Sequence, residues 1–149
     1  MPSQIQFDEI YIKMCHVWSS LSKAKRKQVG CLIVKNGSII SDGYNGTPKG
    51  FDNTCEVRLD EHDETALLTK PEVLHAESNA ITKLAKSTQS SSGSTMYITV
   101  SPCIECAKLI IQSGIERVVF DKLYKNHDGV DLLKQANIEV KEMSLAKNN

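Results

Sequence analysis

Residues 75–114, HAESNAITKLAKSTQSSSGSTMYITVSPCIECAKLIIQSG, hold a helix, a connection, a strand and a second helix in one line. Ala76, Ala80, Ile81, Leu84 and Ala85 recur at helical steps, so 75–86 is read as a helix with these residues facing inward. The run of Gln, Ser and Gly over 89–94 is a flexible connection. Residues 95–100 read as a strand. Pro102 suits a helix start, 103–113 continue that helix, and Gly114 ends it. A helix, a strand and a helix in this order call for a sheet covered by helices.

Working outward, Phe7, Ile10, Tyr11, Met14, Val17, Trp18 and Leu21 predict an amphipathic helix over about 7–24, ended by the basic run 23–27. Residues 29–35 read as a buried strand, Asn36-Gly37 as a hairpin turn and 38–44 as the returning strand. Residues 45–72 mix Gly, Pro, Asp, Asn and Glu irregularly and are expected to form a long loop with a short helix near 61–68. A loop of that length in a compact domain is usually functional. Downstream, 117–120 is a strand, 129–136 a helix and 138–143 a last strand. The expectation is one α/β domain over 1–149, a three-layer α/β/α arrangement around a five-stranded mixed sheet.

Lys+Arg and Asp+Glu both number 18, so the net charge is zero and a general polyanion-binding surface is not indicated. No apolar run approaches the roughly 18 residues of a membrane helix, and the polar start at 1–8 is unlike a signal peptide. No membrane and no nucleic-acid partner is therefore expected. Five cysteines, two of them in a CxxC, suit a reducing, cytoplasmic compartment with metal-bound thiolates.

The chemistry lies at the two helix starts. Cys103 and Cys106 are three apart and share one face of a helix, in the turn where the helix dipole favours thiolate. With His75 they make a two-sulfur, one-nitrogen set that suits one catalytic Zn²⁺ and leaves a fourth position for water. Glu77 is close enough to act on that water as general acid and base. A redox CxxC or a purely structural zinc site is disfavoured, because H-x-E and P-C-x-x-C occur together in order. Cys31 and Cys15 read as packed residues. Cys55, with His62 seven residues on, is an incomplete pattern for a second zinc, and one zinc per chain is expected.

From His75-Ala76-Glu77, Ser101-Pro102-Cys103-Ile104-Glu105-Cys106, Gln28-Val29-Gly30-Cys31, Gly43-Tyr44-Asn45-Gly46-Thr47-Pro48, Ser113-Gly114-Ile115 and Tyr124, the chain resembles the cytidine-deaminase superfamily. Within it, the chain looks like the deoxycytidylate deaminases of the phage and eukaryotic type. The resemblance spans about residues 7–143. The GYNGxP stretch discriminates: small free-nucleoside deaminases usually have Cys at the position of His75 and lack it, and tRNA adenosine deaminases keep HAE and PCxxC but lack it too.

The resemblance implies a cytidine-deaminase-like fold and zinc-dependent hydrolysis of dCMP to dUMP and ammonia, supplying dUMP for dTMP synthesis. It implies a homo-oligomer, a hexamer, and for a phage-type enzyme the host cytoplasm. Asn45 is expected beside the base and sugar, with Ser101 and the backbone of His75-Ala76 near the base edge. Arg26 is the candidate for the 5′-phosphate, because its fork of donors fits phosphate oxygens, although a basic run is ordinarily a solvated helix end. Tyr124 offers a hydroxyl to the phosphate or simply packs. Gly43, Asn45, Gly46, Lys49 and Gly50 form the candidate effector stretch, either an ordinary turn or a loop whose N–H groups cradle a triphosphate. The resemblance implies dCTP as activator and dTTP as inhibitor there, with Mg²⁺. Alternatives in the same chemistry are deoxycytidine, dCTP or a nucleic-acid base as substrate. A zinc-stabilised nucleotide sensor is the non-enzymatic alternative.

Overall fold

The computed structural model describes residues 1–145. Helix α1 (Gln4–Ser19) is followed by β1 (Gly30–Lys35), β2 (Ser38–Tyr44), β3 (Glu56–Asp60) and β4 (Asp63–Thr69). Then come α2 (Ala76–Leu84), β5 (Thr95–Val100), α3 (Ile104–Gln112), β6 (Arg117–Lys122), α4 (Asp128–Gln135) and β7 (Glu139–Glu142). Five strands make a mixed sheet in the order β2-β1-β5-β6-β7. β1 is antiparallel to β2 and β5, whereas β5, β6 and β7 run parallel. No helix among the described residues is long and apolar enough to cross a membrane.

The central strands are apolar on both faces because both faces are covered. Cys31, Ile33, Met96, Ile98, Val118 and Phe120 pack with Ala80, Ile110 and Leu133 of α2, α3 and α4. The alternate residues Leu32, Val34, Tyr97 and Val119 pack with Ile12 and Cys15 of α1. The three-layer α/β/α arrangement with a five-stranded mixed sheet is therefore the observed one.

Two expectations are corrected. The helix near 61–68 does not form; β4 occupies that stretch and pairs antiparallel with β3. Val57 and Leu59 alternate with polar neighbours, and the turn is closed by carboxylates: Asp60 accepts the His62 N–H and Asp63 accepts the Thr65 N–H. Helix α1 is displaced toward the N-terminus. Ser3 and Gln6 make a reciprocal capping box that starts it early. The Ser19 and Ser20 hydroxyls donate to the His16 and Val17 carbonyls where it ends. Its buried face is Asp8, Ile12 and Cys15, while Ile10, Met14, Val17 and Leu21 of the expected apolar repeat are exposed. Asp8 is fully buried yet satisfied: Arg117 donates to both its oxygens at 2.9 and 2.7 Å, and the Tyr97 hydroxyl donates at 2.6 Å.

Candidate metal centre and adjoining cavity

Helices α2 and α3 begin beside each other. His75 is the N-cap of α2 and Cys103 the N-cap of α3, both with extended backbone, and neither side chain caps its own helix. Pro102 therefore precedes the cap instead of opening the helix, a shift of register from the sequence expectation. Cys106 lies on the first turn of α3, and Glu77 is the second residue of α2, buried at 4% exposure.

Two glycines bring these helix starts close to the rest of the fold. A Cβ on Gly43 of β2 would lie 2.3 Å from the Ala76 carbonyl oxygen, and one on Gly129 of α4 would lie 2.1 Å from the Pro102 carbonyl oxygen. Only a residue without a side chain admits either contact. The Ser41 hydroxyl donates to the Ala80 carbonyl and the Asn79 carboxamide to the Tyr44 carbonyl, fastening α2 to β2.

His75 Nδ1 is 3.3 Å from Cys106 Sγ and 3.5 Å from Cys103 Sγ. All three donor atoms lie within 4.8 Å of one another. Ligands of a tetrahedral zinc, with bonds of about 2.0 and 2.3 Å, are roughly 3.5 Å apart, so the donor set and its spacing fit that ion. Among the described residues no other His, Cys, Asp and Glu group meets this criterion. Cys55 is buried with its Sγ against the Asn53 carbonyl, and His62 is exposed on the β3–β4 turn. Cys15 and Cys31 are fully buried core residues.

Hydrogen bonds from Cys106 and from His75 pull the Cys103 thiol far down toward thiolate, whereas the hydrogen bond to Cys103 and then burial hold the Cys106 thiol well above its ordinary range, so without an ion the pair shares one proton. Burial pushes the Glu77 carboxyl up to about 7. A carboxyl balanced there both takes and gives a proton near neutrality.

His75, Glu77 and Cys103 line one wall of a cavity of about 320 Å³, a size typical of small-ligand sites. Arg26, Asn45, Ala76, Ser101 and Tyr124, all expected near a substrate, line it as well. Their bonding is more specific than their residue types suggest. Asn45 accepts the Val29 N–H through Oδ1 and donates to the Lys27 carbonyl through Nδ2, so its carboxamide shapes the 27–29 backbone. Ser101 accepts the Tyr124 N–H at 2.7 Å, fixing that loop. Arg26 donates through Nη1 to Thr69 Oγ1 at 3.1 Å.

Lys27 and Glu56 also line the cavity and were not among the expected residues. The Lys27 ammonium sits 5.7 Å from the Tyr124 ring centroid, a cation–π contact. Burial and then the charge of Lys122 lower its pKa. Lys27 was hidden among the other cations of 23–27, and Glu56 in a stretch read as loop. The effector stretch is dispersed. Gly43 is buried beneath α2, Gly46 exchanges backbone hydrogen bonds with Leu74, and Lys49 and Gly50 are exposed, Gly50 at φ +91°. Of these residues only Asn45 lines the cavity.

Residues 5–122 match the family model for the cytidine and deoxycytidylate deaminase zinc-binding region. The deoxycytidylate deaminase of Enterobacteria phage T4 is 36% identical, over 87% of this chain and 86% of its own. That of Saccharomyces cerevisiae is 32% identical over 95% of this chain and 46% of its own. Among solved structures, the dCMP deaminase of cyanophage S-TIM5 in complex with dCMP and dUMP superposes with a TM-score of 0.86. It shares 43% identity and covers 95% of this chain and 100% of its own.

Proposed function

Because the chain belongs to the cytidine and deoxycytidylate deaminase family, we propose that it hydrolyses dCMP to dUMP and ammonia. The carrying observation is one cavity that joins the His75/Cys103 wall and buried Glu77 to the cations Arg26 and Lys27. Zinc held by His75, Cys103 and Cys106 would supply water acidified enough to be a nucleophile at neutral pH. Glu77 takes a proton from the attacking water and delivers it to N3 of the base. It then carries the remaining hydroxyl proton to the amine, and the C4–N bond breaks as ammonia leaves. Glu77 ends ionised, ready for the next cycle. Arg26 and Lys27 hold the 5′-phosphate, and Tyr124 orients Lys27 from below.

The product dUMP suits supply of dTMP synthesis. Control by dCTP and dTTP with Mg²⁺ belongs to the same reading, and Lys49-Gly50 is the open part of the effector stretch. The bare apolar repeat Ile10, Met14, Val17 and Leu21 supports a homo-oligomer, read as a hexamer. Assays of the zinc-loaded protein on cytidine, deoxycytidine, dCMP and dCTP, each with and without dTTP, test the whole reading. Preferred turnover of dCMP, suppressed by dTTP, is the expected result. Preference for an unphosphorylated substrate would overturn it.

A further inference from the structure

We propose that Glu56 is the positioning residue for the phosphate end of the substrate, acting together with Thr69 through Arg26. The inference rests on the monophosphate reading above. Glu56 opens β3 and is 8% exposed. A nearly buried carboxylate beside a basic segment ordinarily takes a cationic side chain as partner. Glu56 makes no salt bridge with any described residue. Its Oε2 instead accepts two successive backbone N–H groups, from Lys25 at 2.9 Å and Arg26 at 3.0 Å. The hairpin register sets Glu56 directly opposite Thr69, and Thr69 Oγ1 accepts from the Arg26 guanidinium. One rung of the β3–β4 hairpin therefore grips Arg26 at both ends, main chain and side chain.

This grip has a chemical purpose. Arg side chains lose several rotatable bonds' worth of freedom when they fix a phosphate, and a guanidinium held in place beforehand loses less on binding. Capturing the backbone with the carboxylate also leaves both Arg26 and Lys27 unneutralised by Glu56, so the cavity keeps its cations for the ligand. The side-chain hydrogen bonds of this rung go to Lys25 and Arg26, and none goes to His75, Glu77 or Cys103. Its effect falls on the phosphate alone.

The test compares dUMP and deoxyuridine binding by calorimetry on the zinc-loaded wild type, Glu56→Ala and Glu56→Gln, with thermal melting as the check on folding. Both N–H groups point at one oxygen, which a glutamine supplies. Glu56→Gln is thus expected to bind dUMP at least as tightly as wild type, having lost a negative charge but not the grip. Glu56→Ala is expected to lose about tenfold in dUMP affinity, 1.4 kcal/mol, and under about twofold for deoxyuridine. Equal losses for both ligands in Glu56→Ala would show a merely structural role and overturn the proposal. So would unchanged dUMP binding, or a loss in Glu56→Gln matching that in Glu56→Ala. A wild type that does not prefer dUMP over deoxyuridine removes the monophosphate reading itself, and this inference with it.

Discussion

Glu77 sits two residues from His75 and reaches Cys106 with its carboxyl, but it is not one of the three clustered donors. The extended N-cap His75 turns its ring toward Cys103 and Cys106, while the second residue of α2 is turned into the protein at 4% exposure. Glu77→Gln preserves shape and removes the titrating proton. It should keep one zinc per chain and lower turnover by roughly 10²–10⁴-fold, the range for a lost general acid–base. Metal analysis beside steady-state rates checks both halves, and substantial residual turnover would refute the role. The pairing of Cys103 with Cys106 was readable because CxxC spans one helical turn, and the structure brings His75, 28 residues before Cys103, to the same cluster. Lys27 and Glu56 were not readable. One is distinguished from its basic neighbours only by the ring it overlies, and the other only by a strand partner thirteen positions on.

At the level of elements, the turns that carry His75 and Cys103 depend on glycines far away in sequence. Any side chain at Gly129 meets the Pro102 carbonyl, so Gly129→Ala must push α4 away from the turn that carries Cys103. Overpacking of this kind costs about 1–3 kcal/mol. The variant should melt earlier and release zinc faster to a colorimetric chelator. Gly46→Ala makes a control, since a Cβ there meets nothing within 4 Å. Zinc release at the wild-type rate from Gly129→Ala would contradict the argument. The order of helices and sheet strands was legible because both faces of the sheet are covered and its central strands β1, β5 and β6 are largely apolar runs. The β3–β4 hairpin was missed because its alternation is short, at Val57 and Leu59, its apolar residues are partly exposed, and Glu61-His62 is not one of the glycine turns that mark a hairpin. The α1 repeat misled for a different reason. It was apolar where the helix is bare, and the buried face contains a carboxylate that no hydrophobic pattern marks.

For the molecule as a whole, that carboxylate ties stability to pH on the acid side. Burial alone would raise the Asp8 pKa, but hydrogen bonds from Arg117, Tyr97 and Gln4 outweigh it and hold the group well below the usual carboxylate range. The folded value lies below the unfolded one, so the contribution is complete above the unfolded value of about 3.9 and is lost as pH falls through the folded one. Stability should therefore decline steeply below about pH 4. Asp8→Asn should lose about 3 kcal/mol at pH 7, because Arg117 is left without its buried partner, and should decline less on further acidification. Urea midpoints at pH 7, 5 and 3 measure this; parallel declines in both proteins would contradict it.

His75 and Cys103 occupy the cap positions of α2 and α3 without capping them. Ser, Thr, Asp or Asn there would stabilise each helix by about 1 kcal/mol. On the proposed reading, a zinc shared by His75 and Cys103 would take the place of that local stability and splice the two uncapped helix starts. Stripping it should quicken amide hydrogen exchange first at 76–79 and 104–107, while β5 and β6 stay protected. Demetallation would then register as an opening at the reacting end of the molecule well before any loss of the sheet.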